Sequence, residues 1–308
     1  MKYIKNTLDF KIEEATVVTL GKFDGLHRGH EKLMKELFAY GQEHGLATVA
    51  FTFDMPPRNQ VEDISTKVLT TNEEKEYIFA ETGIDYLIEC PFTKEVMCME
   101  PKEFIAWISK SLHMQCVVVG DDFRFGHKRS GDYQTLQRYE QEYGYHTIVV
   151  DKMKDDNRDI SSTYIREEIA AGNLAKANEL LGYPYFIKSE VIHGKKLGRT
   201  LGIPTINMQF PEEKLLPPKG VYMTTVQIEG KTYPGVTNVG TKPTVSDTGM
   251  VGVETHIIDC NRDLYGQSIT VAFIKSIRPE QKFDSVDELK KRMLRDIEET
   301  AKYYKNVT

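Results

Sequence analysis

The sequence predicts two domains: an α/β domain with a doubly wound parallel sheet, then an antiparallel β-barrel closed by an α-helix. The length, 308 residues, is about twice that of a typical domain. In the first half, short apolar runs alternate with helical patterns, as in βαβ units. From residue 185 to 280, β-type runs separated by turn residues follow one another without a long helix, which is typical of an antiparallel barrel or sandwich. The punctuation at Gly182-Tyr183-Pro184 predicts domains 1–183 and 184–308.

Each element of the first domain follows from hydrophobic patterning. Five runs are apolar enough to be strands buried on both faces, which indicates a parallel sheet. They are 17–20, 47–53, 85–90, 116–120 and 146–150. The segments with helical patterns are 31–44, 72–83, 101–112, 132–143 and 173–181. Ligands of a doubly wound sheet bind beyond the carboxyl ends of its strands. We therefore expect the functional residues in the loops that follow the strands.

The second domain is predicted from shorter runs and one terminal helix. Its strand candidates are 185–193, 220–228, 233–239, 253–259 and 268–277, with Glu229-Gly230 as a hairpin turn. Ser285 and Glu288 have the spacing of a capping box. Apolar residues then follow at four-residue spacing: Leu289, Met293, Ile297 and Ala301. This spacing predicts a helix packed on the barrel.

Composition restricts the class of protein. The net charge of −6 and the pI near 5.8 do not favour binding to nucleic acid or to an anionic membrane surface. The first residues are too charged for a signal peptide, and no apolar run approaches the ~20 residues that span a bilayer. We expect a cytoplasmic protein. Its four cysteines mostly lie in or beside apolar runs, which favours buried free thiols over disulfides.

The stretch 17–30, VVTLGKFDGLHRGH, has the pattern of a phosphate site. A strand passes through Gly21 and Gly25 into a helix, so unpaired backbone N–H groups and the positive end of the helix dipole face any ligand there. His27 and His30 add side-chain donors, and Gly29 between them permits close approach. Two alternatives remain open. The histidines are either a zinc pair, although no third ligand has a convincing spacing, or solvated residues of a plain βα turn.

Two other strand ends carry candidate residues. Segment 120–126, GDDFRFG, follows the fourth predicted strand and is either a packed loop or an aromatic platform for a flat heteroaromatic ligand. Ser162 and Thr163 precede an apolar helix that carries Arg166. They are N-cap residues, phosphate ligands or both, because a helix start offers free N–H groups in either case.

The second half contains a glycine-rich basic segment, 194–202, which runs directly into Ile203-Pro204-Thr205-Ile206-Asn207. The segment differs from a P-loop and is by itself a weak signal. The hydroxyl of Thr205 and the amide oxygen of Asn207 are of the kind that magnesium prefers. Glu254 interrupts an apolar strand, so it is either a surface residue or a general base.

These segments resemble a known family in both halves. GKFDGLHRGH, FTFD, LTTNEEK, GDDFRFG and ISSTYIR occur in the order found in the adenylyltransferase module of prokaryotic bifunctional riboflavin kinase/FMN adenylyltransferases, also called FAD synthetases. GKKLGRTLGIPTIN, NVGTKPT, VETHIID, DLYG and RPEQKF resemble the riboflavin kinase module, again in family order. The resemblance covers nearly the whole chain.

The resemblance implies a two-step reaction with small-molecule substrates and Mg²⁺ as cofactor. Riboflavin and ATP give FMN in the C-terminal module, and FMN and a second ATP give FAD and pyrophosphate in the N-terminal one. No nucleic acid or membrane partner is implied. The oligomeric state stays open between a monomer and a weak homo-oligomer.

The resemblance also implies a role for each candidate residue. The residues with catalytic roles are His27 and His30 at the transferred phosphate and Glu254 as general base in the kinase. The residues that bind ATP or its phosphates are Gly21, Phe23, Asp24, Gly25, Ser162, Thr163, Arg166, Gly194, Gly198, Arg199 and Gly202. Asp122, Phe123 and Phe125 line the flavin site, and Thr205 and Asn207 hold magnesium.

Two positions depart from the family pattern. Pro56 stands where the family usually has a histidine after FTFD, so a donor is lost near the first site. Ile206 replaces the alanine of the usual PTAN motif. If Thr205 and Asn207 share one face of an extended segment, Ile206 points to the other face and into the core, as we expect. If instead the segment turns sharply at Pro204, Ile206 leans into the nucleotide or flavin pocket and obstructs it. Two further functions stay possible at this stage: a monofunctional FMN adenylyltransferase with a weakened kinase module, and a flavin-binding regulator without turnover.

Overall fold

The structure is a computed structural model that describes residues 1–54, 67–194, 197–241 and 251–307. These residues form two compact units, of which the first comprises the described residues 1–54 and 68–162 and the second comprises Lys67 and residues 163–194, 197–241 and 251–307. Among the described residues, no helix is both long enough and apolar enough to cross a bilayer. Pro56, which stands where the family usually has a histidine, lies outside the described residues, and so do Lys195 and Lys196.

The first unit is built on a parallel sheet of six strands. The strands are β1 (Lys2–Lys5), β2 (Thr16–Leu20), β3 (Ala47–Asp54), β4 (Tyr86–Pro91), β5 (Met114–Gly120) and β6 (His146–Val150). Their spatial order is β1-β4-β3-β2-β5-β6. The order reverses between β2 and β5, and this switch point is where a doubly wound sheet binds its ligand.

The helices of this unit cover both faces of the sheet. They are α1 (Arg28–His44), α2 (Asn72–Thr82), α3 (Lys94–Met97), α4 (Pro101–Ser111), α5 (Tyr133–Arg138) and α6 (Glu140–Tyr143). Neighbouring strand residues alternate between two cores. Val18 packs in the core that includes Phe104 of α4, and Val17 packs in the core that includes Leu37 of α1. The doubly wound prediction is therefore confirmed.

Several element ends have local causes. Gly45 and Gly83 end α1 and α2 in left-handed backbone conformations, which glycine adopts without strain. Thr71 and Glu74 form a complete capping box at the start of α2. Two short antiparallel pairs lie in the loops, Arg124–Phe125 with Gly131–Asp132 and Lys154–Asp155 with Arg158–Asp159.

The second unit contains a closed antiparallel barrel. Its strands are β7 (Phe186–Ile192), β8 (Ile206–Met208), β9 (Gly220–Ile228), β10 (Lys231–Thr241), β11 (Val251–Ile257) and β12 (Ser268–Pro279). Their order around the barrel is β7-β8-β11-β10-β9-β12. Closure leaves no free sheet edge, and the predicted barrel is confirmed.

A row of hydroxyl groups crosses the barrel wall. Thr224, Thr237 and Thr255 lie on adjacent strands and are 0% exposed. The Oγ1 atoms of Thr224 and Thr237 are 2.8 Å apart, and those of Thr237 and Thr255 are 2.9 Å apart. Each buried hydroxyl therefore has a hydrogen-bond partner.

Four helices accompany the barrel: α7 (Ser162–Ala170), α8 (Leu174–Leu181), α9 (Leu197–Thr200) and α10 (Val286–Val307). The unit boundary falls after the first residue of α7, so α7 and α8 group with the barrel by their packing. Ser285 Oγ accepts a hydrogen bond from the Glu288 backbone N–H at the start of α10, as the capping pattern predicts. The helix packs against β10.

Sequence patterning missed some elements. β1 was not predicted, because Lys2–Lys5 is a four-residue edge strand with a lysine at each end and without a buried apolar run. The helix predicted over 132–143 is two helices, since Tyr139 leaves the helical conformation between α5 and α6. Of the cysteines, Cys90 and Cys116 are buried, whereas Cys98 is exposed and Cys260 is half-buried, and all four are free thiols.

Candidate active sites

The loop between β2 and α1 lies beside the switch point of the sheet. Phe23 and Gly25 both have a positive φ, of 47° and 65°, which makes the turn tight. The Phe23 ring is 1% exposed, and a Cβ on Gly21 would lie 2.9 Å from it. Gly21 is therefore required by the packing of Phe23. Phe23 was predicted to bind ATP, but its ring is part of the core.

His27 and His30 stack on each other at the start of α1, with ring centroids 3.9 Å apart. His27 is 6% exposed, and the Nδ1 atoms of both rings are buried without a hydrogen-bond partner in the described part of the chain. Burial lowers the pKa of His27 to about 2, helped by the nearby His30, and burial lowers the pKa of His30 to about 4. Both rings are therefore neutral near pH 7.

This geometry bears on the interpretations of the histidine pair. Full solvation in a plain turn does not fit, since His27 is buried, His30 is half-buried and the Nδ1 atoms of both rings are removed from water. No cluster of three or more His, Cys, Asp or Glu side chains suitable for a metal occurs among the described residues, so the zinc alternative gains no support. Two neutral imidazoles at a helix N-terminus, each with a buried Nδ1 atom that has no hydrogen-bond partner in the described chain, suit an anion such as a phosphate. Gly29 permits this arrangement, because a Cβ there would lie 3.0 Å from the His27 ring.

Asp24 holds the loop in place. Its Oδ1 accepts hydrogen bonds from the backbone N–H groups of Leu69 and Thr70 at 2.8 and 3.0 Å. Thr70 Oγ1 in turn accepts from the Gly25 N–H, and Ser162 Oγ donates to the Asp24 carbonyl oxygen at 2.7 Å. Asp24 and Ser162 thus join three loops of the first unit. Sequence reasoning assigned both to ATP binding and missed this positioning role, which depends on contacts over more than 40 residues.

The neighbouring strand end, after β5, adds charged groups. Burial lowers the pKa of His30, whereas a hydrogen bond with the Gly25 backbone and, to a smaller extent, the charge of Asp122 raise it. Lys152 pairs with both Asp122 and Asp159, at 3.2 and 3.0 Å. Asp121 has a buried Oδ1 without a hydrogen-bond partner in the described chain. Lys152 was not singled out from the sequence, because it stands in a charged loop without a motif.

The two phenylalanines of the predicted flavin site differ. Their rings stack 5.4 Å apart, but Phe125 is 6% exposed and packs against Phe104 in the core. The Phe125 side chain is therefore part of the core, where it stacks on Phe123, and its role at the flavin site stays a prediction. Phe123 is half-buried and follows Asp122 in the chain.

Ser162 begins α7, so the N-cap position belongs to the residue before it. Thr163 and Arg166 belong to the second unit. Arg166 Nη2 donates to Thr163 Oγ1 at 3.4 Å, one helical turn away. Their predicted binding of phosphate stays a prediction.

The second unit contains two adjoining concavities. One, the polar cleft, has a volume of about 320 Å³ and is lined by Arg199, Gly202, Thr205, Ile206 and Tyr265, among others. The other, the helix-side cavity, has a volume of about 310 Å³ and lies between the barrel and α10. It is largely apolar, and Glu254 lines it. Thr205 lines both concavities and so marks the place where they meet.

Strand pairing brings the predicted kinase residues together. Glu254 on β11 lies opposite Asn207 on β8 and opposite Asn238 on β10, and directly paired residues share a face of the sheet. Glu254 is half-buried in the cavity wall and is not a plain surface residue. Asn238 was quoted within a motif but given no role from the sequence, since only the register places it beside Glu254.

The glycine-rich segment packs on the two predicted magnesium ligands. A Cβ on Gly194 would lie 2.2 Å from Nδ2 of Asn207, and a Cβ on Gly198 would lie 2.3 Å from the Ile203 carbonyl oxygen and 3.2 Å from Oγ1 of Thr205. Both glycines are therefore required by close approach. The two predicted ligands are the Thr205 hydroxyl and the Asn207 amide, and a side chain on either glycine would fill the space beside them. Such uncharged oxygen ligands fit a magnesium ion that also binds phosphates.

Ile206 does not lie in the core, and that prediction is wrong. The side chains of Ile206 and Asn207 lie on opposite faces of the strand, as predicted, because Ile206 pairs with Thr255 whereas Asn207 pairs with Glu254. The opposite face, however, is the wall of the polar cleft, where Ile206 is half-buried. In the same cleft Arg199 donates from Nη2 to the Tyr265 hydroxyl at 3.2 Å.

Comparison with known proteins identifies the family. The FAD synthetase model matches residues 9–164, and the riboflavin kinase model matches residues 181–304. The chain is 39% identical over 299 residues to the bifunctional riboflavin kinase/FMN adenylyltransferase of Escherichia coli (strain K12), covering 96% of this chain and 95% of that protein. The chain belongs to this family. The Bacillus subtilis (strain 168) protein of the same name is 34% identical over 303 residues, again with 96% and 95% coverage.

A solved structure has the same fold over both units. The crystal structure described as a macrolide-efflux protein from Streptococcus pneumoniae is 31% identical, with a TM-score of 0.84, and the match covers 97% of this chain and 98% of that one. Membership of the riboflavin kinase/FMN adenylyltransferase family makes the chain a transferase of FAD biosynthesis from riboflavin.

Proposed function

We propose that the chain converts riboflavin to FAD in two ATP-dependent steps at separate sites. The functional modules are 1–183 for adenylyl transfer and 184–308 for riboflavin phosphorylation. The observation that carries the kinase assignment is Thr205, which lines both the polar cleft and the helix-side cavity. A reaction between a flavin in the apolar cavity and a nucleotide in the polar cleft requires such a meeting point.

In the kinase step, the 5′-hydroxyl oxygen of riboflavin attacks the γ-phosphorus of ATP and ADP leaves. Glu254, in the cavity wall beside Thr205, accepts the hydroxyl proton. Arg199 and the backbone of Gly194, Gly198 and Gly202 bind the phosphates in the polar cleft. Thr205 and Asn207 would hold Mg²⁺, which neutralises phosphate charge when bound.

In the adenylyl transfer step, a phosphate oxygen of FMN attacks the α-phosphorus of ATP and pyrophosphate leaves. His27 and His30 donate hydrogen bonds to the phosphate on which negative charge increases. The unbonded Nδ1 atoms of both buried rings support this role. Gly21, Gly25 and the backbone around Phe23 form the phosphate loop, which Asp24 and Ser162 hold. Thr163 and Arg166 keep their predicted phosphate role.

The flavin of this step is proposed to lie against Phe123, next to Asp122. Phe123 offers a half-exposed ring on top of the buried Phe125, which is a suitable platform for stacking. We further propose that the protein is cytoplasmic, where ATP is available, and functions as a monomer or weak homo-oligomer.

The test is a product analysis. The purified chain is incubated with ATP, a magnesium salt and either riboflavin or FMN, and the flavins are separated. We expect FMN and FAD from riboflavin, and FAD from FMN. Conversion of FMN alone would indicate the monofunctional adenylyltransferase. Binding of flavin without either product would indicate a regulator.

A further inference from the structure

A buried cluster of charged residues in the wall of the helix-side cavity has no role in the steps above. Asp296 on α10 is 1% exposed, and its Oδ2 lies 3.0 Å from Nε and 2.9 Å from Nη2 of Arg278 on β12. Arg292, one turn earlier on α10, places its Nε 2.9 Å from Oδ1, an ion-pair contact without hydrogen-bond geometry. One buried carboxylate therefore joins the terminal helix to a barrel strand.

Helix docking alone does not explain this cluster. Burying a carboxylate is costly, and a well-packed apolar residue often stabilises such a contact as much as a buried ion pair does. The rest of the helix face already has apolar residues, since Leu289, Met293 and Ile297 line the same cavity. A charged group in this position thus points to a task other than packing.

The cluster supplies a fixed cation to an apolar cavity. Of the three charged groups in the cluster, Arg278 and Asp296 line the cavity, whereas Arg292 does not and its side chain is 31% exposed, so the cation that faces the cavity is Arg278. The side chain of Arg278 is 10% exposed, its Nη1 donates to the Pro279 carbonyl oxygen at 3.4 Å, and its Cζ lies 5.6 Å from the centre of the Phe283 ring. Its orientation is therefore fixed from several sides. The other charged residues that line the cavity, Glu254 and Glu280, are acidic.

A riboflavin ring matches these features. Most of the ring is flat and apolar, whereas the pyrimidine edge carries carbonyl oxygens that accept hydrogen bonds. We propose that Asp296 is a positioning residue for riboflavin: it fixes Arg278 in the cavity wall, so that binding of the flavin ring depends on the docked terminal helix. This inference rests on the proposed kinase function of the second unit.

The first experiment is kinase kinetics of Asp296→Asn, which keeps the size of the side chain but removes its charge. We expect the KM for riboflavin to rise roughly tenfold or more, while kcat at saturating riboflavin and the KM for ATP stay within a few-fold of the parent. Glu298→Gln is the matched control, because Glu298 lies on the same helix and pairs with Lys302 at 2.8 Å but is 66% exposed. Its KM for riboflavin should equal that of the parent.

The second experiment asks whether Asp296 acts through Arg278. Arg278→Met should raise the KM for riboflavin at least as much as Asp296→Asn, and Arg278→Lys less, because lysine keeps the charge but not the forked geometry. Adding Asp296→Asn to Arg278→Met should change the KM little further. Fully additive effects would overturn the proposal, as would an unchanged KM in Asp296→Asn or a parallel rise in the KM for ATP.

Folding and the kinase function are controlled separately. FAD formation from FMN and the KM for ATP of the kinase are measured on the same preparations. If Asp296→Asn does not fold, the proposal is tested by comparing the KM for riboflavin of Arg278→Lys with that of Arg278→Met. Parental KM values in both variants would refute the proposal. If the parent does not phosphorylate riboflavin, the proposed kinase function fails. Riboflavin affinity, measured by quenching of flavin fluorescence, then tests Asp296 by itself, and equal affinities of parent and Asp296→Asn would refute it.

Discussion

At the scale of single residues, burial gives side chains properties that their type alone does not. His27 and His30 are polar residues in a loop, yet they stack on each other and stay neutral because their rings are removed from water. A neutral imidazole donates a hydrogen bond without bringing a permanent charge. Such donors can respond to charge that develops on a phosphate during the reaction.

His30→Ala tests the histidine pair. We expect FAD formation from FMN to fall by roughly 10²-fold or more, as when an oxyanion donor is lost, with riboflavin phosphorylation at the parental rate. His44→Ala is the control, since His44 is an exposed residue at the other end of α1. An equal loss of both activities in a folded variant would mean that His30 is structural or that the two modules are not independent.

Glu254→Gln tests the proposed general base. Glutamine keeps the shape of the side chain but cannot accept the proton, so riboflavin phosphorylation should fall by roughly 10² to 10⁴. FMN adenylylation should not change. Glu190→Gln, on an exposed position of β7, should leave both rates unaltered. A Glu254→Gln enzyme that phosphorylates riboflavin normally would exclude Glu254 as the base.

Ile206→Ala tests the departure from the family motif. Because Ile206 shares its face with Thr255 and not with Glu254, we expect kcat of the kinase within a few-fold of the parent. The side chain lines the polar cleft, so the KM for ATP should rise by roughly threefold to tenfold as apolar contact is lost. If the parent were almost inactive as a kinase and the alanine variant strongly active, the monofunctional alternative would be correct.

At the scale of elements, Gly194 and Gly198, the latter in α9, are packed against residues that follow them in the chain. Gly194 and Gly198 are not interchangeable with alanine, because the Asn207 amide and the Ile203 carbonyl occupy the space of a Cβ. The glycine-rich segment and β8 therefore act as one element. The same dependence is seen in the first unit, where Asp24 fixes the phosphate loop through Leu69 and Thr70.

Gly194→Ala tests this coupling. The new Cβ must displace Asn207, and a shift of about 1 Å in a group that orients substrate can lower kcat by roughly 10²-fold. Kinase activity should fall accordingly, without an effect on FAD formation from FMN. In an Asn207→Ala background the same substitution should do little more, because the clashing amide is gone. Full additivity of the two changes would contradict the close contact.

At the scale of the whole molecule, the two candidate sites are separate: the histidine pair belongs to the first unit, and the two concavities belong to the second. This division makes each activity an internal control for the other. It also gives a probe of one unit alone, because the single tryptophan, Trp107, lies on α4 and packs in the core of the first unit.

The pH dependence of stability should reflect the buried histidines. An unfolded histidine binds a proton below about pH 6.5, whereas folded His30 does so only near 4 and His27 near 2. Between pH 6.5 and 4 the unfolded state therefore holds more protons, and the free energy of unfolding falls as the pH falls, by up to about 1.4 kcal/mol per pH unit for each histidine. Trp107 fluorescence in urea measures this at pH 7 and 5.

His30→Ala provides the comparison for the same measurement. Burial raises the pKa of Glu89 in the first unit, and this residue acts in the opposite direction, so total stability alone is not diagnostic. The difference between parent and variant isolates the histidine. We expect a smaller loss of stability on acidification in His30→Ala, and equal losses would show that burial of His30 does not control its protonation.

The sequence by itself determined the elements and the motifs of this protein. Five parallel strands, the barrel strands around Glu229-Gly230 and the capped terminal helix all follow from periodicity and turn residues. The position of His27 and His30 at a strand-to-helix turn also follows from these local patterns. These features depend on neighbours within a few residues, and such neighbours are visible in the sequence.

Only the tertiary structure decided which motif residues are part of the core, which hold a loop in place and which line a cavity. Phe125 proved to be core through Phe104, Asp24 a clamp through Leu69 and Thr70, and Ile206 a cleft wall. The partnership of Asp296 with Arg278 likewise joins separate elements. These roles arise from packing between segments far apart in the chain. No local pattern encodes them, because burial and pairing exist only once the distant surfaces are in contact.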